Sequence, residues 1–269
     1  MRTHVTSLDG AEIAIWTTGK GPPLVVVHGT PADHTRWQPL LPYLEPHVTV
    51  HAMDRRGRGA SSDGPDYDLP REFEDVAAVV DTVAEATRSK VDVYGHSHGG
   101  FCAFGAATRT PNIRKLVLYE GWPVPDPTVF ALPAQVEARM DALLAEGDRA
   151  AVVETVFRHF ELMTEEDLAA FRAAPSWPGR VAAAHTITRD IRAEARTALD
   201  AALATKITMP VLLLVGEESS DPAKVSVEAV ASALPDARIT VLIGQEHIAD
   251  VLAPEMFAAH FLAFLHDRY

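Results

Sequence analysis

The sequence predicts an α/β fold: a mostly parallel, doubly wound sheet of eight strands, with a helical segment inserted after strand six. Three observations predict it. Short apolar, β-branched runs alternate with stretches whose apolar residues recur at helical spacing. Alternation of this kind builds βαβ units with right-handed crossovers. Several of the runs are apolar throughout, as strands buried on both faces of a parallel sheet must be. The rhythm then breaks once, from about Trp122 to Thr205, where helical patterns follow one another without a convincing strand.

Val5 and the segment Glu12 to Thr17 read as a hairpin turned at Asp9-Gly10. Leu24 to Val27 is bounded by Gly21-Pro22-Pro23 and by His28-Gly29. Val48 to Met53, Val91 to Tyr94, Leu116 to Tyr119, Val211 to Val215 and Ile239 to Ile243 complete the strands. Helices are expected over Arg71 to Arg88, where Phe73, Val76, Val79, Val80 and Val83 share a face, and over Phe101 to Arg109, Val225 to Leu234 and Pro254 to Leu265. Within the inserted segment the helical patterns are Gln135 to Glu146, Arg149 to Phe160, Glu165 to Arg172 and Arg180 to Leu203. The chain therefore divides into a core domain, 1–121 and 206–269, and a helical cap, 122–205.

Composition narrows the function classes. The 269 residues are 47% hydrophobic, enough for a sizeable core. Lys plus Arg number 24 against 37 Asp plus Glu, a formal charge of −13. Nucleic acids and anionic membranes reward the opposite sign, so neither is an expected partner. Cys102 is the only cysteine, which rules out an intramolecular disulfide. The start of the sequence has no signal-peptide pattern, and no run nears the roughly 20 apolar residues of a membrane span. A cytoplasmic location is expected, and a homodimer is compatible with the sequence.

The strongest motif is Gly95-His96-Ser97-His98-Gly99-Gly100, which matches G-x-S-x-G directly after a strand and directly before a helix. So sharp a turn strains the backbone at Ser97, and small neighbours relieve the crowding. The hydroxyl then projects above the sheet at a helix N-terminus, where developing negative charge is favoured. A nucleophile so placed takes one oxyanion donor from the next residue, the His98 N–H, and a second from the loop after strand three. In His28-Gly29-Thr30-Pro31 the candidate is the Thr30 N–H. His247, in Gly244-Gln245-Glu246-His247 after the last strand, lies at the same carboxyl edge and is the candidate general base.

These motifs resemble the α/β-hydrolase superfamily over nearly the whole chain. In most members the acid follows the strand after the cap, in a G-x-x-D pattern. Here that stretch reads Gly216-Glu217-Glu218-Ser219-Ser220-Asp221, with serine in the usual acid position. Some haloalkane dehalogenases and the zearalenone lactone hydrolases instead place a glutamate after strand six, and this chain has Glu120 there. A carboxylate following a buried strand is costly unless paired. Pairing with His247 Nδ1–H removes that cost and sets the tautomer that accepts the Ser97 proton. Glu120 is preferred as the acid, with Asp221 the alternative and Glu217 and Glu218 behind both.

Asp54-Arg55-Arg56-Gly57-Arg58-Gly59-Ala60-Ser61 resembles the superfamily's D-x-R-G-x-G-x-S loop and is expected to tie loops together beneath the site. Trp122, Phe130, Trp177 and His185 are candidates for the substrate pocket. No His/Cys/Asp cluster has metal-ligand spacing, and no G-x-G-x-x-G follows the third strand, so no metal and no cofactor are expected. A serine nucleophile with a histidine base implies acyl transfer to water, with a small-molecule ester or lactone as the leading substrate. Amide, peptide or C–C bond hydrolysis, a cofactor-free haloperoxidase-like activity and a non-catalytic binding protein are the alternatives. Epoxide hydrolases and haloalkane dehalogenases of this fold resemble it but use aspartate as nucleophile.

Overall fold

The apolar runs become the centre of one sheet. The computed structural model describes residues 1–64, 66–160 and 164–266, without the side chains of Asp167, Asp221 and Pro222. Its strands are β1 (Arg2–Thr6), β2 (Glu12–Gly19), β3 (Pro23–Val27), β4 (Thr49–Met53), β5 (Val91–His96), β6 (Ile113–Tyr119), β7 (Val211–Gly216) and β8 (Ala237–Leu242). They lie in the order β1-β2-β4-β3-β5-β6-β7-β8. β1 and β2 pair antiparallel, as do β2 and β4, and the rest are parallel. This is the predicted architecture. Every residue of β3, β5 and β7 is buried, which explains why those runs lack polar alternation.

The helices are α1 (Leu41–Leu44), α2 (Leu69–Thr87), α3 (His98–Ala107), α4 (Ala134–Glu146), α5 (Arg149–His159), α6 (Glu165–Ala173), α7 (Trp177–Ala182), α8 (Ile187–Glu194), α9 (Ala201–Ala204), α10 (Asp221–Ala233), α11 (Ala249–Leu252) and α12 (Pro254–Leu265). Val76, Val79, Val80 and Val83 of α2, Phe101 and Phe104 of α3, and Val227 and Val230 of α10 cover one face of the sheet. Phe257, Phe261 and Phe264 of α12 cover the other, against Tyr94, Tyr119 and Trp37. Between β6 and β7 a third apolar cluster joins Met140, Leu143, Val152, Val156, Phe157, Leu168, Ile187 and Ile191. Among the described residues no helix is long and apolar enough to cross a membrane.

One element differs from expectation. The pattern from Arg180 to Leu203 is not a single helix but the end of α7, a 3₁₀ turn at Ala184–Thr186, α8 and α9. Two local interactions break it. The Leu199 N–H donates to the Val124 carbonyl at 2.9 Å, and Ala198 bridges Val124 in parallel, so the chain is extended there. Asp200 then starts a new helix by accepting from the N–H groups of Ala202 and Leu203 at 2.8 and 3.2 Å. Apolar periodicity continues through the break, which is why the sequence reads as one element.

Candidate active site

Strands β5, β6 and β8 deliver the central residues at the carboxyl edge of the sheet. Ser97 lies between β5 and α3 with φ 54° and ψ −132°, in the region L-residues with a side chain rarely occupy. The turn closes only because its neighbours are small: a Cβ on Gly95 would lie 2.6 Å from Gly100 Cα, and one on Gly99 would lie 2.2 Å from the Val27 carbonyl oxygen. The Ser97 N–H donates to the Tyr119 carbonyl at 2.9 Å, tying the turn to the end of β6. Glu120 is the next residue along β6 and also has a positive φ, 42°. Its own N–H donates to Leu214 of β7 at 3.2 Å, which fixes the carboxylate at the carboxyl edge of the sheet.

His247 arrives on the loop after β8. Its Nδ1 lies 2.7 Å from Glu120 Oε2. Oε1 of the same carboxylate accepts from the Gly216 N–H at 2.8 Å and from the Ser219 hydroxyl at 2.5 Å. Burial opposes the ionisation of Glu120, but the hydrogen bond and charge of His247, with those of Gly216 and Ser219, hold its carboxyl below the ordinary range. The backbone of Asp221 opens α10, but its side chain lies outside the described residues. The His247 loop is pinned from below. His96 Nε2–H donates to the His247 carbonyl at 2.7 Å, and the Tyr119 hydroxyl bonds the Glu246 carbonyl and accepts from the Ala249 N–H at 3.0 Å.

Among the described residues neither the Thr30 nor the His98 N–H is spent on an internal acceptor, which leaves both free to bond an oxyanion. Their side chains are anchored to one face of α8. Thr30 Oγ1 donates to Asp190, and His98 Nδ1 lies 2.6 Å from Glu194 Oε1. Asp190 and Glu194 are four residues apart, so they project together. Asp190 is itself held by Arg58 and by Arg55, at 3.2 Å from the latter. Arg55 grips Glu72 at 2.6 and 2.7 Å, and Arg56 grips Asp75 at 2.7 Å through two bonds. Asp54 accepts from Trp16 Nε1 at 3.0 Å and from the His34 N–H at 2.8 Å. His28 is buried and neutral, its pKa lowered to about 3 by burial and Arg55. Its Nδ1–H donates to the Gly29 carbonyl at 2.9 Å while Nε2 accepts from the Arg55 N–H at 3.1 Å.

Ser97, His247, Glu120 and Thr30 open on a cavity of about 550 Å³. Trp122 and Phe130 line it, with Phe157, Phe160 and Phe171 from the helices between β6 and β7. Trp122 Nε1 donates to Ser226 Oγ at 3.0 Å. Trp177 and His185 do not line it, a correction to the sequence reading. The Trp177 ring packs on the apolar cluster of its own helices, which shields it from water. His185 is exposed, and its Nδ1–H donates to the Ala182 carbonyl at 3.1 Å. Sequence reasoning missed Arg36, Arg180, Asp190 and Glu194, which also line the cavity. The one available signal was the pairing of Asp190 and Glu194 at helical spacing.

Among the described residues, Glu72, His98 and Cys102 bring possible ligand atoms within 4.8 Å of one another. These groups are committed elsewhere: Glu72 to Arg55 and Arg58, and His98 Nδ1 to Glu194. Burial and Glu72 push the Cys102 thiol well above its ordinary pKa, so it is a poor metal ligand.

The model of the alpha/beta hydrolase family matches residues 24–260, and the chain belongs to that family. It is similar to an alpha/beta hydrolase from Sphaerobacter thermophilus, 33% identical, with a TM-score of 0.79 over 98% of this chain and 100% of that one. It is 26% identical to a pimeloyl-[acyl-carrier protein] methyl ester esterase from Nitrosomonas europaea, over 93% of this chain and 98% of the esterase. It is also 26% identical to a 2-(acetamidomethylene)succinate hydrolase from Mesorhizobium japonicum, over 88% of this chain and 86% of the relative.

Proposed function

We propose that this member of the alpha/beta hydrolase family is a serine hydrolase that cleaves a carboxylic ester or lactone through an acyl-enzyme on Ser97. The observation that carries the reading is the Glu120–His247 contact of 2.7 Å beside a serine held at φ 54°. With Nδ1–H donated to Glu120, His247 presents Nε2 as the proton acceptor. The Ser97 oxygen attacks the acyl carbon as its proton passes to Nε2. The oxyanion is met by the Thr30 and His98 N–H groups. Collapse breaks the acyl–oxygen bond, and His247 returns the proton to the leaving alkoxide. A water molecule, deprotonated by His247, then attacks the acyl carbon, and the acid leaves as Ser97 regains its proton.

The aromatic wall of the cavity suits a substrate with an apolar portion, and the esterase among the relatives supports ester cleavage. A peptidase acting at free N-termini would need a carboxylate for the ammonium. Glu137 and Asp141 pair instead with Arg192, and Glu165 with Arg158, and none of the three lines the cavity. A panel of p-nitrophenyl esters, small lactones and macrocyclic lactones, with p-nitroanilides for comparison, tests the reading against Ser97→Ala. Ester or lactone turnover lost in the variant is the expected result. Turnover confined to the anilides, or retained by Ser97→Ala, would overturn it.

A further inference from the structure

Glu218 and Glu246 line the cavity but are exposed to solvent; among the described residues the buried charged groups of its wall are matched, with one exception. Asp190 is paired with Arg55 and Arg58, Glu194 with His98, Glu120 with His247, and Arg36 with both oxygens of Asp250 at 2.7 and 2.8 Å. Arg180 lines the same cavity, is only 4% exposed, and has no carboxylate in ion-pair contact among the described residues. Its Nη1 donates to the Pro31 carbonyl at 2.6 Å, and its guanidinium lies over the Phe171 ring at 4.2 Å. Its Nε is buried with no partner. Asp33 and Asp250 offset part of its charge without contacting it as an ion pair. Asp250 is held by Arg36 and Tyr94, and Asp33 Oδ1 accepts from the Thr35 N–H at 2.9 Å and the Thr35 hydroxyl at 2.5 Å. Burial and the neighbouring Arg36 lower the pKa of Arg180 to about 9, so it is still a cation at neutral pH.

An unpaired buried cation is costly, and a counter-charge from outside removes the cost. We propose that Arg180 is the recognition residue for a carboxylate carried by the substrate, so that the ester or lactone cleaved at Ser97 is an acidic one. The free Nε belongs to a planar fork that suits a carboxylate, and Phe171 beneath the plane fixes its orientation. In a chain of net charge −13, an anion needs such a local cation to enter the site. The proposal rests on the serine-hydrolase reading for the scissile bond, but carboxylate binding itself needs no turnover.

Two measurements separate the claims. The first compares kcat/KM for p-nitrophenyl hydrogen succinate and glutarate with that for p-nitrophenyl butyrate and valerate, in wild type, Arg180→Gln and Arg180→Lys. The acid-to-neutral ratio is expected to fall about 10- to 100-fold in Arg180→Gln, the worth of a charge-assisted hydrogen-bonded pair, and less in Arg180→Lys, which keeps the charge. The second titrates succinate, glutarate and adipate, with their diamides as neutral controls, into Ser97→Ala and Ser97→Ala/Arg180→Gln by calorimetry. Binding of a dicarboxylate but not its diamide, weakened at least about 10-fold by Arg180→Gln, is expected. Ester hydrolysis with no acid preference and no dicarboxylate binding overturns the carboxylate site and leaves the hydrolase reading standing. Arg180-dependent binding without hydrolysis of any ester does the reverse. Should Arg180→Gln fail to fold, an unchanged ratio and unchanged binding in Arg180→Lys would overturn the proposal, because an ammonium cannot reproduce the guanidinium fork.

Discussion

Glu120 serves three partners at once: Oε2 lies 2.7 Å from His247 Nδ1, while Oε1 accepts from the Gly216 N–H at 2.8 Å and from the Ser219 hydroxyl at 2.5 Å. Ser219 stands where most of the superfamily is expected to have its aspartate, and here it bonds the carboxylate proposed as the acid. Replacing Glu120 with Gln keeps the shape but removes the charge that stabilises an imidazolium. We expect kcat/KM for an active ester to fall about 10³- to 10⁴-fold in Glu120→Gln, the order of loss for an acid-to-amide change in such a triad. Asp221→Asn should keep near wild-type turnover. The reverse ranking would mean that the acid is misassigned.

The buried carboxylates make stability depend on acid pH. Burial opposes the ionisation of Asp190, yet Arg58, His98 and Arg55 hold its pKa well below the ordinary value. Asp54 is likewise lowered to about 2, its hydrogen bonds with His34, Ala60 and Trp16 outweighing burial. A group whose folded pKa is depressed stabilises the fold above its unfolded pKa, about 4, and loses that contribution as pH falls through the folded value. Asp190→Asn should therefore cost about 3–5 kcal/mol at pH 7, as breaking a buried pair does. Thermal melts followed by circular dichroism should show the gap from wild type closing below about pH 4. A gap unchanged at pH 3 would contradict the assignment of Asp190 as the ionised partner of the arginines.

His96 holds the loop that carries His247. Its Nε2–H holds the His247 carbonyl at 2.7 Å, and the two rings lie 4.7 Å apart. Burial keeps its pKa well below the ordinary value, so it stays neutral and adds no limb of its own to the pH–rate profile. His96→Phe fills the same space but releases the loop. Its kcat should fall about 10- to 100-fold with KM little changed, since misplacing a reacting group by about 1 Å costs on that order. A change in KM alone, with kcat intact, would assign His96 to substrate binding instead.

Gly29 is where the strand-three loop meets Ser97. A Cβ there would lie 2.8 Å from Ser97 Cβ and 3.1 Å from His96 Nδ1. Gly29→Ala must therefore shift Ser97 or the loop that carries Thr30. We expect a loss of about 100-fold in kcat with a melting temperature close to wild type, because the displacement is local. Full activity in Gly29→Ala would show that the loop can retreat without cost.

The strands and the turn at Ser97 were legible because their signals are local: solid apolar runs, and glycines that only a sharp strand-to-helix turn requires. Glu120 was legible for a different reason, since a carboxylate at the end of a buried strand needs a partner. The break before α9 was not, because it depends on Leu199 meeting Val124, 75 positions away in the chain. Trp177 and Phe130 look alike as sequence, yet one packs on its own helices and the other faces the cavity. Arg180 reads as one more basic residue of a helix, and only its burial in the wall of the cavity that Ser97 also lines separates it from the exposed arginines.

The central claim is that Ser97 is a nucleophile activated by His247 and Glu120. Intact-mass spectrometry of the protein reacting with a fluorophosphonate, followed in time and mapped by peptide, tests it most directly. The account predicts one adduct per chain on the peptide containing Ser97, none in Ser97→Ala, and labelling slowed at least about 100-fold in Glu120→Gln. An adduct on another residue, or a labelling rate that ignores Glu120→Gln, would contradict it.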